Sequence, residues 1–175
     1  RSVGSRLPVE VDGTEALRGD VDNVLAARVH QWSSASSLED QVAAVRSADG
    51  RGVLARGLGR GYGDCAQNAG GTVVDGPSRS GLLDVDLDTA TIRVLAGTSL
   101  DDLMRWLVPL GLFVPVTPGT RLVTVGGAIA ADIHGKNHHV KGSWGDHVTS
   151  FRLIDGLGEV RDVSRESDAE LFRAT

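Results

Sequence analysis

Cysteine, methionine and aromatic residues are scarce in this chain. Its 175 residues include one cysteine and one methionine, and aromatic side chains make up 4%. The single cysteine, Cys65, excludes a disulfide bond within the chain. No apolar run approaches the roughly 20 residues of a membrane-spanning helix, and no apolar signal-peptide core follows the first residues. We therefore expect a soluble domain that is held together by its core.

An excess of positive charge is also missing. The formal net charge is −5, so no overall positive field attracts nucleic acid, and we expect no nucleic-acid partner. Any anionic ligand must be held by local groups. Hydrophobic residues account for 41% of the chain, which is enough for a core, and the 23 glycines suit a fold in which a ligand closely approaches the main chain.

Hydrophobic periodicity and turn residues predict an α+β fold. Residues 1–30 lack a sustained period and predict an irregular arm with one short helix near 21–28, whereas residues 31–175 form one domain without a linker. The chain starts at Arg1 rather than at methionine, and a helix begins near Glu170, five residues before the last residue, Thr175. We therefore expect a piece of a longer protein.

Helix caps and alternating runs define the elements of this domain. A capping box from Ser36 to Glu39 predicts a helix over 37–48, and further helices begin at Thr98 or Ser99 and at Thr124. Gly111 ends the second helix. Short apolar or alternating runs predict strands over 53–55, 72–74, 82–85, 91–95, 112–114, 151–154 and 159–163. The last two form a hairpin.

A loop with glycine at every second position follows the first of these strands. Residues 56–64 read Arg-Gly-Leu-Gly-Arg-Gly-Tyr-Gly-Asp. This alternation lets successive main-chain N–H groups turn toward one concavity that binds an anion, and Arg56 and Arg60 can add charge-assisted hydrogen bonds. The loop lacks the third glycine of the dinucleotide fingerprint and the Gly-Lys-Ser/Thr of a P-loop. A mobile glycine-rich turn is the alternative interpretation.

A second segment, residues 118–139, combines a predicted helix start with basic side chains. Thr124, Gly126 and Gly127 offer a hydroxyl, free N–H groups and the positive end of a helix dipole, which suit an anionic or carbonyl group. Two such sites fit the diphosphate of a dinucleotide. Farther along, basic side chains that suit a phosphate or a sugar hydroxyl are crowded together: His134, Lys136, His138, His139 and Lys141.

Other interpretations of these side chains stay open. A histidine is more often a satisfied hydrogen-bonding residue than a catalyst. Metal binding is a rival, because His134 and His138 are four residues apart and Asp132, His139 and His147 are further potential ligands. Gly135 disfavours the helix that such a metal site needs, and Lys136 places a cation among the ligands, so we predict no metal. Cys65 is either a reactive thiol or a small residue that fills a tight loop.

These segments also carry a family resemblance. Residues 55–68 (A-R-G-L-G-R-G-Y-G-D-C-A-Q-N), residues 118–139, which include I-H-G-K-N-H-H, and the closing D-A-E-L-F-R-A-T resemble the vanillyl-alcohol-oxidase family of flavoproteins. The resemblance covers about residues 37–175. It implies a PCMH-type FAD-binding domain with two small α/β lobes, which ends here before a substrate domain.

The resemblance also implies which residues contact FAD. In the family the glycine loop surrounds the diphosphate, and His134 lies near the flavin ring and the sugar, so that His134 and Lys136 are the expected catalytic residues. The implied cofactor-binding residues of the first segment are Ala55, Arg56, Gly57, Leu58, Gly59, Arg60, Gly61, Tyr62, Gly63, Asp64 and Cys65. Those of the second segment are Gly119, Thr124, Val125, Gly126, Gly127, Ala131, Asp132, Ile133 and His134. Tyr62 lies where some members attach FAD covalently through a histidine, so noncovalent FAD is implied.

The family members that this chain resembles most oxidise the 2′-hydroxyl of decaprenylphosphoryl-β-D-ribose to the keto sugar in arabinan precursor synthesis for the cell wall. The resemblance thus implies a polyprenyl-phosphoryl sugar as substrate and a short-chain reductase as the partner that completes the epimerisation. It also implies peripheral association with the cytoplasmic or periplasmic face of the inner membrane.

Two departures from the family pattern leave the exact sugar open. Ala131 stands where well-known members have a cysteine, and Gly61 stands where they have a serine. One alternative function is therefore an aldonolactone or alditol oxidase of the same family. An alternative of another class is a non-catalytic flavin- or metal-binding domain.

Overall fold

The structure, a computed structural model, describes residues 9–11, 15–18, 27–29, 31–33, 35–48 and 50–175. Its elements confirm the predicted α+β class. The helices are α1 (Leu38–Arg46), α2 (Leu100–Leu107), α3 (Val125–Ala130), α4 (His138–Lys141) and α5 (Ala169–Ala174). The strands are β1 (Val9–Val11), β2 (Glu15–Arg18), β3 (Ala27–Val29), β4 (Gln31–Ser33), β5 (Val53–Arg56), β6 (Thr72–Asp75), β7 (Leu82–Asp86), β8 (Thr91–Val94), β9 (Ser150–Ile154) and β10 (Val160–Ser164). In the described part of the chain, no helix has the length and apolar content that crossing a bilayer requires.

The first three strands form an antiparallel sheet in the order β1-β2-β3. Three stretches of the expected irregular arm are therefore strands, and Ala27 and Arg28 belong to β3 rather than to the end of a helix. Residues 21–26 of that expected helix lie outside the described residues. Val-Glu-Val in β1 alternates apolar and polar residues, as strands do, but three positions are too few to predict a strand.

A parallel sheet in the order β4-β6-β5 follows. The helix α1 joins β4 to β5, and β6 lies between these two strands. The Ser37 side chain caps α1 by accepting a hydrogen bond from Asp40 N at 3.0 Å, and Ser37 N donates to Asp40 Oδ2 at 3.2 Å. The predicted helix is thus confirmed. Its capping box lies one residue later than the predicted Ser36 to Glu39, because the Asp40 carboxylate reaches the cap as glutamate does.

The helix α2 contributes most to the main core. Ser99 caps it by accepting a hydrogen bond from Asp102 N, and Leu100, Leu103 and Leu107 form one buried face at helical spacing. Burial of each leucine stabilises the fold by roughly 1.5–3 kcal/mol. The other buried members of this core are Val114, Val116, Val125, Ala128 and Trp144, and the β7–β8 hairpin packs against them through Leu82, Ile92 and Val94.

Two other element predictions had different outcomes. The predicted strand over 112–114 is wrong, because Gly111 (φ 76°) turns the chain back toward α2 and Leu112 N donates to Leu107 O. No strand among the described residues pairs with this segment. The predicted hairpin is confirmed, with β9 and β10 antiparallel from Ser150–Ser164 to Ile154–Val160.

Replacing Gly97 by alanine is expected to destabilise this fold. Gly97 is buried, and an added Cβ would overlap the Gly76 carbonyl oxygen and lie 2.5 Å from the Arg79 carbonyl oxygen. Because both are main-chain atoms, no side-chain rotation relieves the overlap. We expect urea denaturation to show a loss of about 1–3 kcal/mol in the free energy of unfolding. Gly156→Ala, whose Cβ meets nothing within 4 Å, is the control, and equal stability of the two variants would contradict this packing.

The turn of the β9–β10 hairpin makes stability depend on pH. Asp155 Oδ1 accepts hydrogen bonds from Glu159 N and Leu157 N, both at 2.9 Å, and these bonds, with the Arg161 charge, lower the pKa of the Asp155 carboxyl. The stabilisation is present above the unfolded-state pKa, about 3.9, and is lost as pH falls through the lower folded-state pKa. Asp155→Asn keeps the acceptor without the charge. Thermal melts should show its Tm deficit near pH 6, and the deficit should disappear once the pH has fallen below the folded-state pKa, whereas a deficit independent of pH would refute the role of the charge.

Candidate functional site

Three turns meet at the carboxyl edge of the parallel sheet. Because β4, β5 and β6 run parallel, their carboxyl ends lie on one edge, where ligand sites of such sheets form. At this edge β5 leads into the glycine loop, which we define as residues 57–65, and β6 leads into the turn Gly76–Ser78. Ser78 Oγ donates to Ala35 O, just after β4, at 3.1 Å. This edge is the first part of the candidate site.

The glycine loop has the main-chain geometry of an anion-binding nest. Gly59 and Gly63 have positive φ values of 65° and 66°, whereas Gly57 and Gly61 do not, so left-handed backbone recurs at two of the four glycines. Within the described residues, the N–H groups of these four glycines donate to no main-chain carbonyl. They are thus available to a phosphate.

Side chains close the base of this loop. Arg56 Nη1 donates to Ala66 O at 2.7 Å and so joins the two ends of the loop, a structural role beyond the phosphate contact that the sequence suggested. Cys65 Sγ occupies the space that a Cβ at Gly61 would need. The thiol therefore fills the loop. The other predicted cofactor residues of the first segment differ in exposure: Leu58 is half-buried, and Ala55, Arg60, Tyr62 and Asp64 are exposed.

The glycine loop adjoins the start of α3. A Cβ at Gly57 would lie 2.5 Å from Thr124 Oγ1, so the structure places these two predicted cofactor residues side by side. Thr124 is buried, with 2% of its surface exposed, and its hydroxyl accepts a hydrogen bond from Gly127 N at 3.1 Å. Thr124 thus caps α3 and lines the back of the loop.

The N–H groups at the start of α3 are not free, and that expectation was wrong. Val125 N donates to Thr98 O and Gly126 N donates to Ala96 O, both at 2.8 Å. These carbonyls come from the turn between β8 and α2, which the sequence analysis did not connect with α3. The main-chain donors for an anion are therefore those of the glycine loop.

Sequence reasoning missed three small residues of this site. Gly76 packs against the Arg56 carbonyl, Gly97 packs against the Gly76 carbonyl, and Ala96 Cβ would lie 3.1 Å from a Cβ added at Gly126. Each small residue lets one turn approach another. Their only sequence signal is a small residue one or two positions after a predicted strand, which is typical of close main-chain approach.

The far end of α3 carries the predicted catalytic residues. The helix has six residues, so at about 1.5 Å per residue its ends lie roughly 10 Å apart. Ala131 and Asp132 form the following turn, and Ile133 packs on the core. His134 is exposed and pairs with Ser143 in an antiparallel bridge.

Imidazole and amine groups cluster beyond this turn. The His134 and His138 rings lie 5.6 Å apart edge to face, and those of His138 and His139 lie 3.8 Å apart. Lys136, in the same stretch of chain, is exposed. His138 lies on α4, whereas His134 lies outside that helix, so the two are not ligands of a zinc helix. Among the described residues, no three His, Cys, Asp or Glu side chains form a group that could hold a metal ion.

One further position predicted from the sequence lies apart from these contacts. Gly119 is exposed, and a Cβ added there would meet no heavy atom within 4 Å. Its role in cofactor binding stays a prediction.

This geometry fits an extended dinucleotide. The glycine loop offers main-chain donors for a diphosphate, and its Gly57 packs so closely on Thr124 that a Cβ would take the space between them. From there α3 leads to an exposed imidazole and an amine. The arrangement is that of a dinucleotide-binding domain with polar side chains exposed at its second end.

Residues 33–164 match the family of FAD binding domains, and the chain belongs to this family. The predicted cofactor, FAD, is thereby confirmed. The chain is 55% identical, over 76% of its length, to the decaprenylphosphoryl-β-D-ribose oxidase of Mycolicibacterium smegmatis. It is 31% identical over 62% of its length to the D-2-hydroxyglutarate dehydrogenase of Escherichia coli, and 26% identical over 52% to the D-lactate dehydrogenase of Anaerostipes hadrus.

These relatives confirm the resemblance predicted from the sequence. The chain covers 30%, 11% and 19% of the three relatives, respectively. It therefore spans less than a third of the length of each of them.

Proposed function

We propose that this chain is the FAD-binding part of an oxidoreductase that oxidises a CH–OH group of a sugar. The observation that carries the proposal is the juxtaposition of the glycine loop with α3, whose other end leads to the exposed His134. Bound FAD would supply the acceptor for the hydride of the alcohol carbon. The protein supplies position and charge around it.

The proposed substrate is the 2′-hydroxyl of decaprenylphosphoryl-β-D-ribose or of a related polyprenyl-phosphoryl sugar, in arabinan precursor synthesis for the cell wall. The 55% identity to an oxidase of that name supports this substrate. The exposed cluster that includes His134, Lys136, His138 and His139 also supports it, because amines and imidazoles donate hydrogen bonds to phosphoryl oxygens. In this proposal a short-chain reductase completes the epimerisation, and the enzyme works at the surface of the inner membrane, on its cytoplasmic or periplasmic face.

His134 and Lys136 have separate roles in this proposal. His134 orients or polarises the reacting hydroxyl through a ring nitrogen, and Lys136 supports the neighbouring hydrogen-bond network through its ammonium group. The glycine loop holds the cofactor noncovalently, since Tyr62 is fully exposed and the loop contains no histidine. A flavin that stays with the protein after acid precipitation would refute noncovalent attachment.

A panel of substrates tests the proposed activity. Flavin absorbance near 450 nm is expected to bleach with a polyprenyl-phosphoryl ribose and to persist with aldonolactones or alditols.

A 2-hydroxy acid is the second candidate substrate, because two relatives are named for D-2-hydroxyglutarate and D-lactate. Selective bleaching by those acids, by lactones or by alditols would overturn the proposed sugar substrate. A flavin that none of them reduces would indicate a non-catalytic domain.

A further inference from the structure

Asp132 has an uncommon main-chain conformation at the turn that leads to His134. Its φ is +38°, one of two positive values among the described non-glycine residues. Side chains other than glycine rarely adopt this region, although aspartate and asparagine tolerate it better than most. Such a conformation persists where surrounding contacts hold it.

The segment Ser143–Gly145 supplies those contacts. Ser143 pairs with His134, Trp144 N donates to Ile133 O at 2.9 Å, and Gly145 N donates to Asp132 Oδ1 at 2.8 Å. Three consecutive residues thus pair, in reverse order, with the three residues 132–134. At Asp132 the positive φ turns the main chain away from Ser143–Gly145. The Asp132 carboxylate, rather than a main-chain carbonyl, therefore accepts the hydrogen bond from Gly145 N.

Two anchors hold this supporting segment. Trp144 belongs to the buried core. On the other side, Arg165 Nη2 donates to Gly145 O at 2.7 Å, and its guanidinium carbon lies 4.7 Å from the centre of the Phe172 ring. Gly145 packs closely on Asp132, because a Cβ added at Gly145 would lie 3.0 Å from Asp132 Oδ1.

We propose that Asp132 is a positioning residue, whose carboxylate holds the 132–134 turn against Ser143–Gly145 and thereby fixes the His134 imidazole. This inference rests on the proposed function for the role of His134. In this proposal the Asp132 side chain binds the protein's own main chain, through the hydrogen bond from Gly145 N. The cofactor contact that the family resemblance implies for Asp132 is thus left to its main-chain atoms.

Three variants of the FAD-loaded protein test the inference. Asp132→Ala removes the acceptor, Asp132→Gly removes it and also relieves the positive φ, and Asp132→Asn keeps an acceptor at Oδ1. The first readout is the NMR signal of the His134 ring, which needs no substrate. The second is the rate of flavin reduction by a polyprenyl-phosphoryl ribose. We expect the alanine and glycine variants to shift the His134 signal and to slow flavin reduction roughly 10- to 100-fold. The rate of flavin reduction in the asparagine variant should stay within about twofold of the parent rate.

Two control variants separate positioning from general stability. Asp155 also accepts main-chain hydrogen bonds in a turn, so Asp155→Ala should lower Tm without moving the His134 signal. Ala90 is the other non-glycine residue with positive φ in the described part of the chain, and Ala90→Gly should leave both readouts unchanged. An unshifted His134 signal in Asp132→Ala, or equal impairment of the alanine and asparagine variants, would overturn the inference. If the parent's flavin is not reduced, the proposed function fails, and the His134 signal alone then decides the inference.

Discussion

Replacing His134 by alanine is expected to slow flavin reduction by a polyprenyl-phosphoryl ribose by roughly 10²- to 10⁴-fold. His134 is exposed at the end of the path that leads from the glycine loop through α3, so its ring nitrogen can reach a reactant. A group that polarises or takes a proton from the hydroxyl acts in the transition state. The loss should therefore appear in kcat more than in KM.

The control for this variant is another exposed imidazole. His147 Nε2 lies 2.7 Å from Lys141 O, and His147→Gln keeps a donor there. This variant should retain nearly the parent rate. FAD should remain bound to His134→Ala, which the visible spectrum checks. Single-turnover reduction of His134→Ala at nearly the parent rate would remove His134 from the mechanism.

Replacing Gly57 by alanine is expected to weaken FAD binding by about 10- to 100-fold, or about 1.4–2.7 kcal/mol. The added Cβ would lie 2.5 Å from Thr124 Oγ1, and Thr124 is buried and holds the N-terminus of α3. To relieve this overlap, either the loop must move away from its nest geometry or Thr124 must give up its cap of α3. Fluorescence titration with FAD measures the change.

A double-mutant cycle shows whether this contact is the cause. Thr124→Ala removes Oγ1 and Cγ2, the two Thr124 atoms nearest the added Cβ, at a cost in stability of about 0.5–2 kcal/mol for the lost cap. The double variant should then bind FAD more tightly than the sum of the single effects predicts. Gly156→Ala is the control, since its Cβ meets open space. Strictly additive effects would show that the loop is sensitive for another reason.

The elements that the sequence predicted correctly depend on local interactions. The helix α2 has its cap at Ser99, acidic residues in its first turn, and leucines at helical spacing. The glycine loop is similar, because glycine permits the positive φ that the chain adopts at Gly59 and Gly63. Family resemblance then added the cofactor, which spacing alone left open.

The features that the sequence did not predict depend on distant partners. Periodicity does not show that β4, three residues long, pairs with β6 and thereby places two turns on one edge. Nor does it show that carbonyls at 96–98 occupy the donors of α3, or that Gly76 must be small beside the Arg56 carbonyl and Gly97 beside the Gly76 carbonyl. The Asp132 contact with Gly145 also joins residues that only the fold brings together.

The most direct test of this account is the visible spectrum of the purified protein, with FAD added in a fluorescence titration. We expect a yellow protein that binds one equivalent of FAD, releases it on acid precipitation, and loses affinity for FAD when Gly57 is replaced by alanine. A colourless protein that is indifferent to added FAD would contradict the central claim, that the glycine loop and α3 together hold a flavin dinucleotide.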